Sequence, residues 1–174
     1  LPTDTVDWEA ELVVVIGREA RQVTAAHAWQ YVAGLTIGQD YSERTRQLVA
    51  PAPQFSLGKS FPGFAPIGPA VVTPDELDNP DDLGIGCSIN GEQVQKGRTA
   101  DLIFSVPVLI ERLSAVLTLQ PGDLIFTGTP SGVGGGRTPK RFLVPGEGVV
   151  TWIEGLGELR QTCVPGTPYA TASS

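Results

Sequence analysis

The sequence predicts a β-dominated α+β domain, because turn-forming residues are frequent and long helical patterns are scarce. Among the 174 residues are 21 glycines and 15 prolines, and only 18% of the residues are charged. Such a composition is typical of short strands joined by tight turns. A chain of this length can bury one sizeable core, so we expect a single domain.

Short apolar segments bounded by turn residues define the predicted strands. Asn90 and Gly91 form a hairpin turn signal, and a Gly-Leu-Gly sequence at 155–157 closes a second hairpin. A β-branched segment at 34–39 ends at an acid, Asp40. The other predicted strands cover 12–16, 70–72, 84–89, 92–95, 124–127, 148–154 and 158–164. Because helices do not alternate with these strands, the order argues against a βαβ sheet.

Two segments carry helix signals. Apolar residues recur with the helical period between 106 and 116. Residues 24–32 form a second predicted helix, with Thr24 as its cap and Gly34 after its end. The lone histidine, His27, lies in the middle of this helix among alanines. A general base must reach the reacting proton, so we leave His27 out of the candidate site.

Three acids suggest a metal site. Glu9 and Glu11 enter the first strand two residues apart, so both side chains point to one face and can converge. Asp40 is a third acid, placed where a strand ends. Hard divalent cations prefer oxygen ligands, and we predict that these three carboxylates bind one. The alternative is that the glutamates form the solvated face of an amphipathic strand.

Charge, cysteine usage and local motifs argue against several kinds of partner and binding site. The net charge is −7 and no Lys/Arg cluster occurs, which argues against nucleic acid as a partner. No apolar stretch approaches the length of a membrane span, so no membrane partner is expected. Cys87 and Cys163 lie far apart, which predicts buried free thiols and favours the cytoplasm. The glycines at 132–136 lack the lysine and hydroxyl residue of a phosphate-binding loop.

A series of ordered motifs resembles the fumarylacetoacetate hydrolase family over residues 6–164. The matching segments are 7–17, 32–42 with Arg44 and Gln47, 58–61, 66–69, 89–92 with Gln95, 101–104, 119–125, 127–134 and 153–157. The resemblance implies a mixed β-sandwich roll with two or three short helices that wraps a metal-bound active site, commonly as a homodimer. It implies a catalytic domain at 1–164, and the small residues at 165–174 predict a flexible tail.

The resemblance also implies roles for individual residues. Lys59 corresponds to a lysine beside the metal and the substrate oxygens, and Thr129 to a hydroxyl near the substrate carboxylate. Arg44 and Gln47 match a segment near the substrate, but Thr45 stands where the family has an acid, so the partner that orients Arg44 is open. A solvated surface lysine and a plain turn remain the alternatives for Lys59 and Thr129.

The implied activity is metal-dependent chemistry on a small anionic substrate. We expect a hydrolase that cleaves a C–C bond in a 2-oxo acid or acylpyruvate-type 1,3-dicarbonyl through a metal-stabilised enolate, with Mg²⁺ or Mn²⁺ as cofactor and Ca²⁺ as an alternative. Oxaloacetate decarboxylation, isomerisation of a hydroxy-diene-dioate and a non-catalytic metal-binding paralogue stay open. Family members of common size carry an N-terminal lid with a water-activating His and Glu, and we expect this chain to lack that segment, as a fragment or a reduced paralogue.

Overall fold

The computed structural model describes residues 1–166 and contains two four-stranded β-sheets that pack against each other. The strands are β1 (Val6–Asp7), β2 (Ala10–Ile16), β3 (Val32–Gln39), β4 (Ser42–Glu43), β5 (Ile67–Val72), β6 (Gly84–Ile89), β7 (Glu92–Arg98), β8 (Leu124–Phe126), β9 (Gly148–Ile153) and β10 (Gly157–Thr162). One sheet has the order β5-β3-β2-β8, the other β10-β9-β6-β7, and β1 pairs with β4 in a separate ribbon. Each of these pairs is antiparallel.

Short helices connect the strands. The α-helices are α1 (Arg44–Gln47), α2 (Phe55–Gly58) and α3 (Val106–Val116). Single 3₁₀ segments cover Ala25–Tyr31, Pro74–Glu76, Thr99–Asp101 and Gly134–Gly136. The predicted β-dominated α+β class with two or three short helices is therefore confirmed. None of the helices among residues 1–166 has both the length and the apolar character needed to cross a membrane.

The strongest local signals were also the most accurate. The bounds of β6 and α3 match the predicted 84–89 and 106–116. Asn90 and Gly91 turn between β6 and β7 with φ values of 51° and 84°, the left-handed pair that a two-residue hairpin requires. By contrast, β5 begins three residues before the predicted 70–72, and β7 continues to Arg98 because it pairs with β6 as far as Gly84.

The predicted cap of the helix at 24–32 is wrong. The segment is a 3₁₀ helix, Ala25–Tyr31, and the Thr24 side chain makes no cap bond. The Thr24 hydroxyl instead pairs with Nδ1 of His27 at 3.0 Å, and the N–H of Ala25 donates to Oε1 of Glu111 on α3 at 3.0 Å. The Glu111 carboxylate thus accepts an N–H group at the start of this segment, a role that the local sequence assigned to the Thr24 side chain.

Gly34 does not follow a helix end either, because it lies inside β3. A Cβ atom at this position would come within 2.4 Å of Val71 Cγ1 and 2.7 Å of the Val72 carbonyl oxygen on the paired β5. The glycine therefore serves the close approach of two strands.

The alternation of β2 decides where the core and the site lie. Ala10, Leu12, Val14 and Ile16 point into the apolar core between the sheets. Glu11 lies between the first two of these residues and, by the two-residue period of a strand, points to the opposite face. One strand thus anchors the core and presents a carboxylate.

Both cysteines are free and buried, as predicted. Burial raises the pKa of the Cys87 thiol to about 12 and also raises that of Cys163. Apart from Pro165 and Gly166, the predicted tail at 165–174 lies outside the described residues.

Candidate metal centre and active site

The structure brings Glu9, Glu11 and Asp40 together. One carboxylate oxygen from each residue lies within 4.8 Å of the others. Glu9 immediately precedes β2, Glu11 belongs to it, and Asp40 follows β3. Since Ala10 of β2 pairs with Gln39 of β3, the antiparallel register places the three acids side by side.

Burial and mutual repulsion make this cluster costly to keep ionised. Glu11 is 3% exposed, and its burial raises the pKa to about 8. The nearby charges of Asp40 and Glu9 add to this effect, while an N–H from Gly128, 2.8 Å from Oε2, opposes it. Burial also raises the pKa of Asp40. A cation placed between the carboxylates would relieve both penalties.

Lys59 provides one such positive charge. Its Nζ donates to Oε2 of Glu9 at 2.8 Å and also forms a salt bridge with Asp40. Burial by itself would lower the pKa of Lys59, but the hydrogen bonds and charges of Asp40 and Glu9 outweigh it and raise the pKa. Lys59 follows α2, which packs closely on α1. Gly58 permits this contact, since a Cβ atom there would lie only 3.0 Å from the Gln47 side chain. The lysine is therefore a member of the cluster and not a solvated surface residue.

Arg44 joins the cluster to a fourth acid. Its Nη2 lies 2.7 Å from Oε1 of Glu9 and 2.9 Å from Oδ2 of Asp7, and its Nε donates to the same Asp7 oxygen at 2.9 Å. Its Nη1 donates to Oε1 of the buried Gln47 at 2.9 Å. The orienting partner that the sequence left open is therefore Asp7, while Thr45 contacts the hydroxyl of Thr5.

Asp7 is a site residue that sequence reasoning missed. Its side chain is fully buried, and besides Arg44 it accepts N–H groups from Trp8 at 2.8 Å, Gly134 at 2.7 Å and Gly135 at 2.8 Å. The glycine-rich segment thus binds a carboxylate of the chain itself rather than a phosphate. Two features of the sequence could have indicated this role. One is an acid two residues before Glu9, and the other is the glycine-rich loop at 132–136, whose N–H groups belong to no predicted strand.

Glu43 has a comparable structural role. It is 2% exposed and serves as the N-cap of α1, where it accepts the N–H groups of Thr45 at 3.3 Å and Arg46 at 2.6 Å. This capping fixes the first turn of the helix that carries Arg44.

Thr129 lies on the loop after β8, at the edge of a cleft of about 460 Å³. This loop is bonded to two adjacent residues of β2: Thr127 Oγ1 donates to the Leu12 carbonyl at 2.9 Å, and Gly128 N–H donates to the Glu11 carboxylate. Gly128 has a φ of 101°, which favours glycine. The cleft therefore adjoins the acidic cluster through Gly128. His27 remains exposed and bonded to Thr24, outside the cluster.

The donor set fits a hard divalent cation. Three buried or half-buried carboxylates converge, and the group contains oxygen ligands only. Such a set suits Mg²⁺, Mn²⁺ or Ca²⁺ and not a thiolate-binding metal. Burial first, and the charges of Asp40 and Glu9 second, raise the pKa of Glu11, so a bound cation would favour its ionised form.

Comparison with known proteins identifies the family of the chain. The sequence profile of the fumarylacetoacetate (FAA) hydrolase C-terminal domain matches residues 2–164. The human mitochondrial oxaloacetate tautomerase FAHD2A is 46% identical over 152 residues, which are 87% of this chain and 48% of that protein.

Solved structures are similar as well. A Mycobacterium smegmatis protein provisionally described as HpcE is 59% identical, with a TM-score of 0.93 over 95% of this chain and 61% of its own. Fumarylpyruvate hydrolase from Pseudomonas aeruginosa, crystallised with Mn²⁺ and pyruvate, is 33% identical, with a TM-score of 0.84 over 94% of this chain and 69% of its own. The chain spans about half the length of the curated relatives it matches first. The profile match over nearly the whole sequence shows that the chain belongs to the fumarylacetoacetate hydrolase family.

Proposed function

We propose that this chain forms the catalytic part of a divalent-metal-dependent enzyme acting on 2-oxo acids, with keto–enol tautomerisation or isomerisation of a dicarboxylic 2-oxo acid as its reaction. The observation that carries the proposal is the convergence of Glu9, Glu11 and Asp40 beside Lys59, next to the cleft that Thr129 lines. Sequence reasoning placed C–C hydrolysis first. The 46% identity to an oxaloacetate tautomerase supports the reversed order.

Each residue of the site has a proposed task. Glu9, Glu11 and Asp40 would hold the cation, which when bound withdraws electron density from the chelating oxygens of a 2-oxo acid. Lys59 keeps a protonated amine beside the carboxylates, where it can stabilise negative charge that develops on a substrate oxygen. Arg44, oriented by Asp7 and Gln47, holds Glu9 in place. Thr129 would donate its hydroxyl hydrogen to the substrate carboxylate.

Hydrolysis of a C–C bond in an acylpyruvate-type compound is the second candidate. It is favoured by the 33% identity to a fumarylpyruvate hydrolase that binds Mn²⁺ and pyruvate. This reaction needs an activated water in addition to the stabilised enolate, whereas tautomerisation needs only a proton transfer between carbon and oxygen. Oxaloacetate decarboxylation and a non-catalytic metal-binding role are the remaining outcomes.

The first experiment is a calorimetric titration of Mn²⁺ into the protein, with and without oxalate as a mimic of the pyruvate enolate. We expect oxalate to tighten Mn²⁺ binding, because open positions on the cation would accept a bidentate ligand. Tight Mn²⁺ binding that oxalate leaves unchanged would indicate a structural ion, and no binding at all would refute the metal site.

Substrate assays then separate the reactions. Tautomerisation is followed by the ultraviolet absorbance of enol-oxaloacetate, and decarboxylation or acylpyruvate hydrolysis by formation of pyruvate. We expect Lys59→Met and Thr129→Val to lower the tautomerisation rate at least about tenfold, in the range typical of one lost catalytic hydrogen bond. Lys140→Met, which changes an exposed lysine away from the cluster, is the control. Pyruvate formation without tautomerisation would favour the second candidate.

Two further properties are proposed, the oligomeric state and the cellular compartment. The family resemblance implies a homodimer, which light scattering of the purified protein would test. The two buried free thiols favour a reducing compartment such as the cytoplasm. The human relative is named as mitochondrial, so localisation by microscopy of a tagged full-length protein decides the compartment.

A further inference from the structure

Gln95 is a buried residue of β7 that connects the loop after β8, which carries Thr129, to the start of β2, between the candidate metal ligands Glu9 and Glu11. It is 2% exposed. Its Oε1 accepts the N–H of Ala10 at 3.0 Å, between Glu9 and Glu11 in the sequence. Its Nε2 donates to Oγ1 of Thr129 and to the carbonyl oxygen of Pro130, both at 2.8 Å. One side chain therefore contacts both halves of the candidate active site.

The surroundings fix the orientation of the Gln95 amide. The N–H of Ala10 can only donate, and the carbonyl of Pro130 can only accept. The oxygen of the amide must therefore face Ala10 and the nitrogen must face Pro130 and Thr129. In a flipped amide, the NH₂ group of Gln95 would face the N–H of Ala10, and its oxygen would face the carbonyl oxygen of Pro130. Neither of these pairs can form a hydrogen bond, so Thr129 accepts a hydrogen bond from Gln95.

This bond determines what the Thr129 hydroxyl can offer. A hydroxyl carries one hydrogen and two acceptor lone pairs, and Gln95 occupies a lone pair. Within residues 1–166, no acceptor is present for the Thr129 hydrogen. Thr129 lines the cleft of about 460 Å³, so the hydrogen is available to a ligand there.

We propose that Gln95 is a positioning residue that holds Thr129 as a hydrogen-bond donor facing the cleft, and so favours a ligand carboxylate or another anionic oxygen at that point. Through Ala10, the same amide fixes this donor relative to the metal-ligand strand. The inference rests on the proposed function, because it assumes that an anionic ligand occupies the cleft beside the cation.

Gln39 offers a matched control. It is also a fully buried glutamine, and its Oε1 accepts the N–H of Glu9 at 2.8 Å, the neighbour of Ala10. Its Nε2, however, donates to Thr151 Oγ1 at 3.0 Å and Cys87 Sγ at 3.3 Å. The two glutamines accept the N–H groups of two consecutive residues, Glu9 and Ala10, and of these two glutamines only Gln95 contacts Thr129.

The test is a double-mutant cycle on oxalate affinity. Calorimetry measures Mn²⁺ binding first, then oxalate binding to the Mn²⁺-loaded protein, for Gln95→Met, Thr129→Val and the double variant. We expect each single variant to lose about tenfold in oxalate affinity, the size of one hydrogen bond to a charged group, and the double variant to lose no more. Mn²⁺ affinity without oxalate should change less than about threefold. Gln39→Met combined with Thr129→Val should instead show multiplicative losses.

Two results would overturn the proposal. One is an oxalate affinity in Gln95→Met within twofold of the unmodified protein, and the other is a loss that multiplies with that of Thr129→Val. Should thermal unfolding show that Gln95→Met does not fold, Gln95→Glu, which keeps an acceptor for Ala10, takes its place. If the unmodified protein binds Mn²⁺ but no oxalate, the proposed function itself fails and this inference with it, a result already visible before any variant is compared.

Discussion

Asp7 and Glu11 are two buried carboxylates only four residues apart, and their surroundings differ in kind. Asp7 accepts three backbone N–H groups and forms a two-point salt bridge with Arg44. Glu11 accepts one backbone N–H and faces two other acids, and its pKa rises to about 8. A carboxylate that the fold supplies fully with donors is a structural element. A carboxylate with one backbone donor and two acidic neighbours would instead be stabilised by a bound cation.

The largest effect expected from this comparison is that of Asp7→Asn. The amide would replace an acceptor by a donor among N–H groups and leave Glu9 as the remaining carboxylate partner of Arg44. We expect the free energy of unfolding to fall by about 3–5 kcal/mol, the range for one partner removed from a buried ion pair. Urea unfolding measures this loss. Asp78→Asn, at an exposed position, should change stability by less than about 0.5 kcal/mol. A loss as small as that of the control would show that Asp7 is not structural.

Glu11→Gln should act in the opposite direction. The neutral amide keeps an acceptor for the N–H of Gly128 and removes a charge that burial disfavours. We expect the metal-free protein to gain about 1–3 kcal/mol of stability at pH 7, while Mn²⁺ affinity falls at least about tenfold. Urea unfolding and Mn²⁺ calorimetry on the same sample measure both changes. Loss of stability together with unchanged Mn²⁺ affinity would remove Glu11 from the metal centre.

The pH dependence of the metal-free protein sharpens the same contrast. Because the pKa of Glu11 rises from 4.5 to about 8 on folding, the folded state binds more protons than the unfolded state between these values. Stability from this group is therefore present below pH 4.5 and is lost as the pH rises towards 8, with a slope of at most about 1.4 kcal/mol per pH unit.

Cation affinity should follow the opposite trend, rising with pH, and Mn²⁺ binding at pH 7 should release about one proton. Calorimetry in buffers of different ionisation enthalpy counts that proton. The Glu11→Gln variant should release fewer protons, and an unchanged count would assign the release to another group.

The smallest effect is expected in the glycine-rich segment at 132–136, whose N–H groups bind Asp7. A Cβ at Gly134 would lie 1.8 Å from the Arg141 carbonyl oxygen, whereas a Cβ at Gly136 would meet only the Val133 side chain at 3.6 Å. Gly134→Ala should therefore lower stability by at least about 1 kcal/mol and Gly136→Ala by less than about 0.5 kcal/mol. Thermal unfolding of the matched pair tests this, and equal melting temperatures would contradict the close packing of the loop.

Residues with short-range signals were predictable from the sequence. The hairpin at Asn90 and the periodic helix α3 depend on turn chemistry and apolar spacing, which a local window contains. The two-residue spacing of Glu9 and Glu11 is equally local, and the third acid, Asp40, followed from a strand end.

Residues whose partners lie far away along the chain were not predictable in the same way. Asp7 depends on Gly134, which is 127 positions away, and Gln95 depends on Ala10, which is 85 positions away. The capping of Ala25 by Glu111 replaced the local cap expected from Thr24 for the same reason. Tertiary contacts decide these pairs, and no local pattern of residues encodes them.

The position of Lys59 between Glu9 and Asp40 would affect how a cation enters the acidic cluster. In the folded protein the ammonium group is a counter-ion for two of the three acids and holds them together. The carboxylates are therefore already assembled around Lys59. An arriving dication would share this space with the Lys59 ammonium group. Folding would then not depend on the cation, which could bind to the folded protein as a separate event.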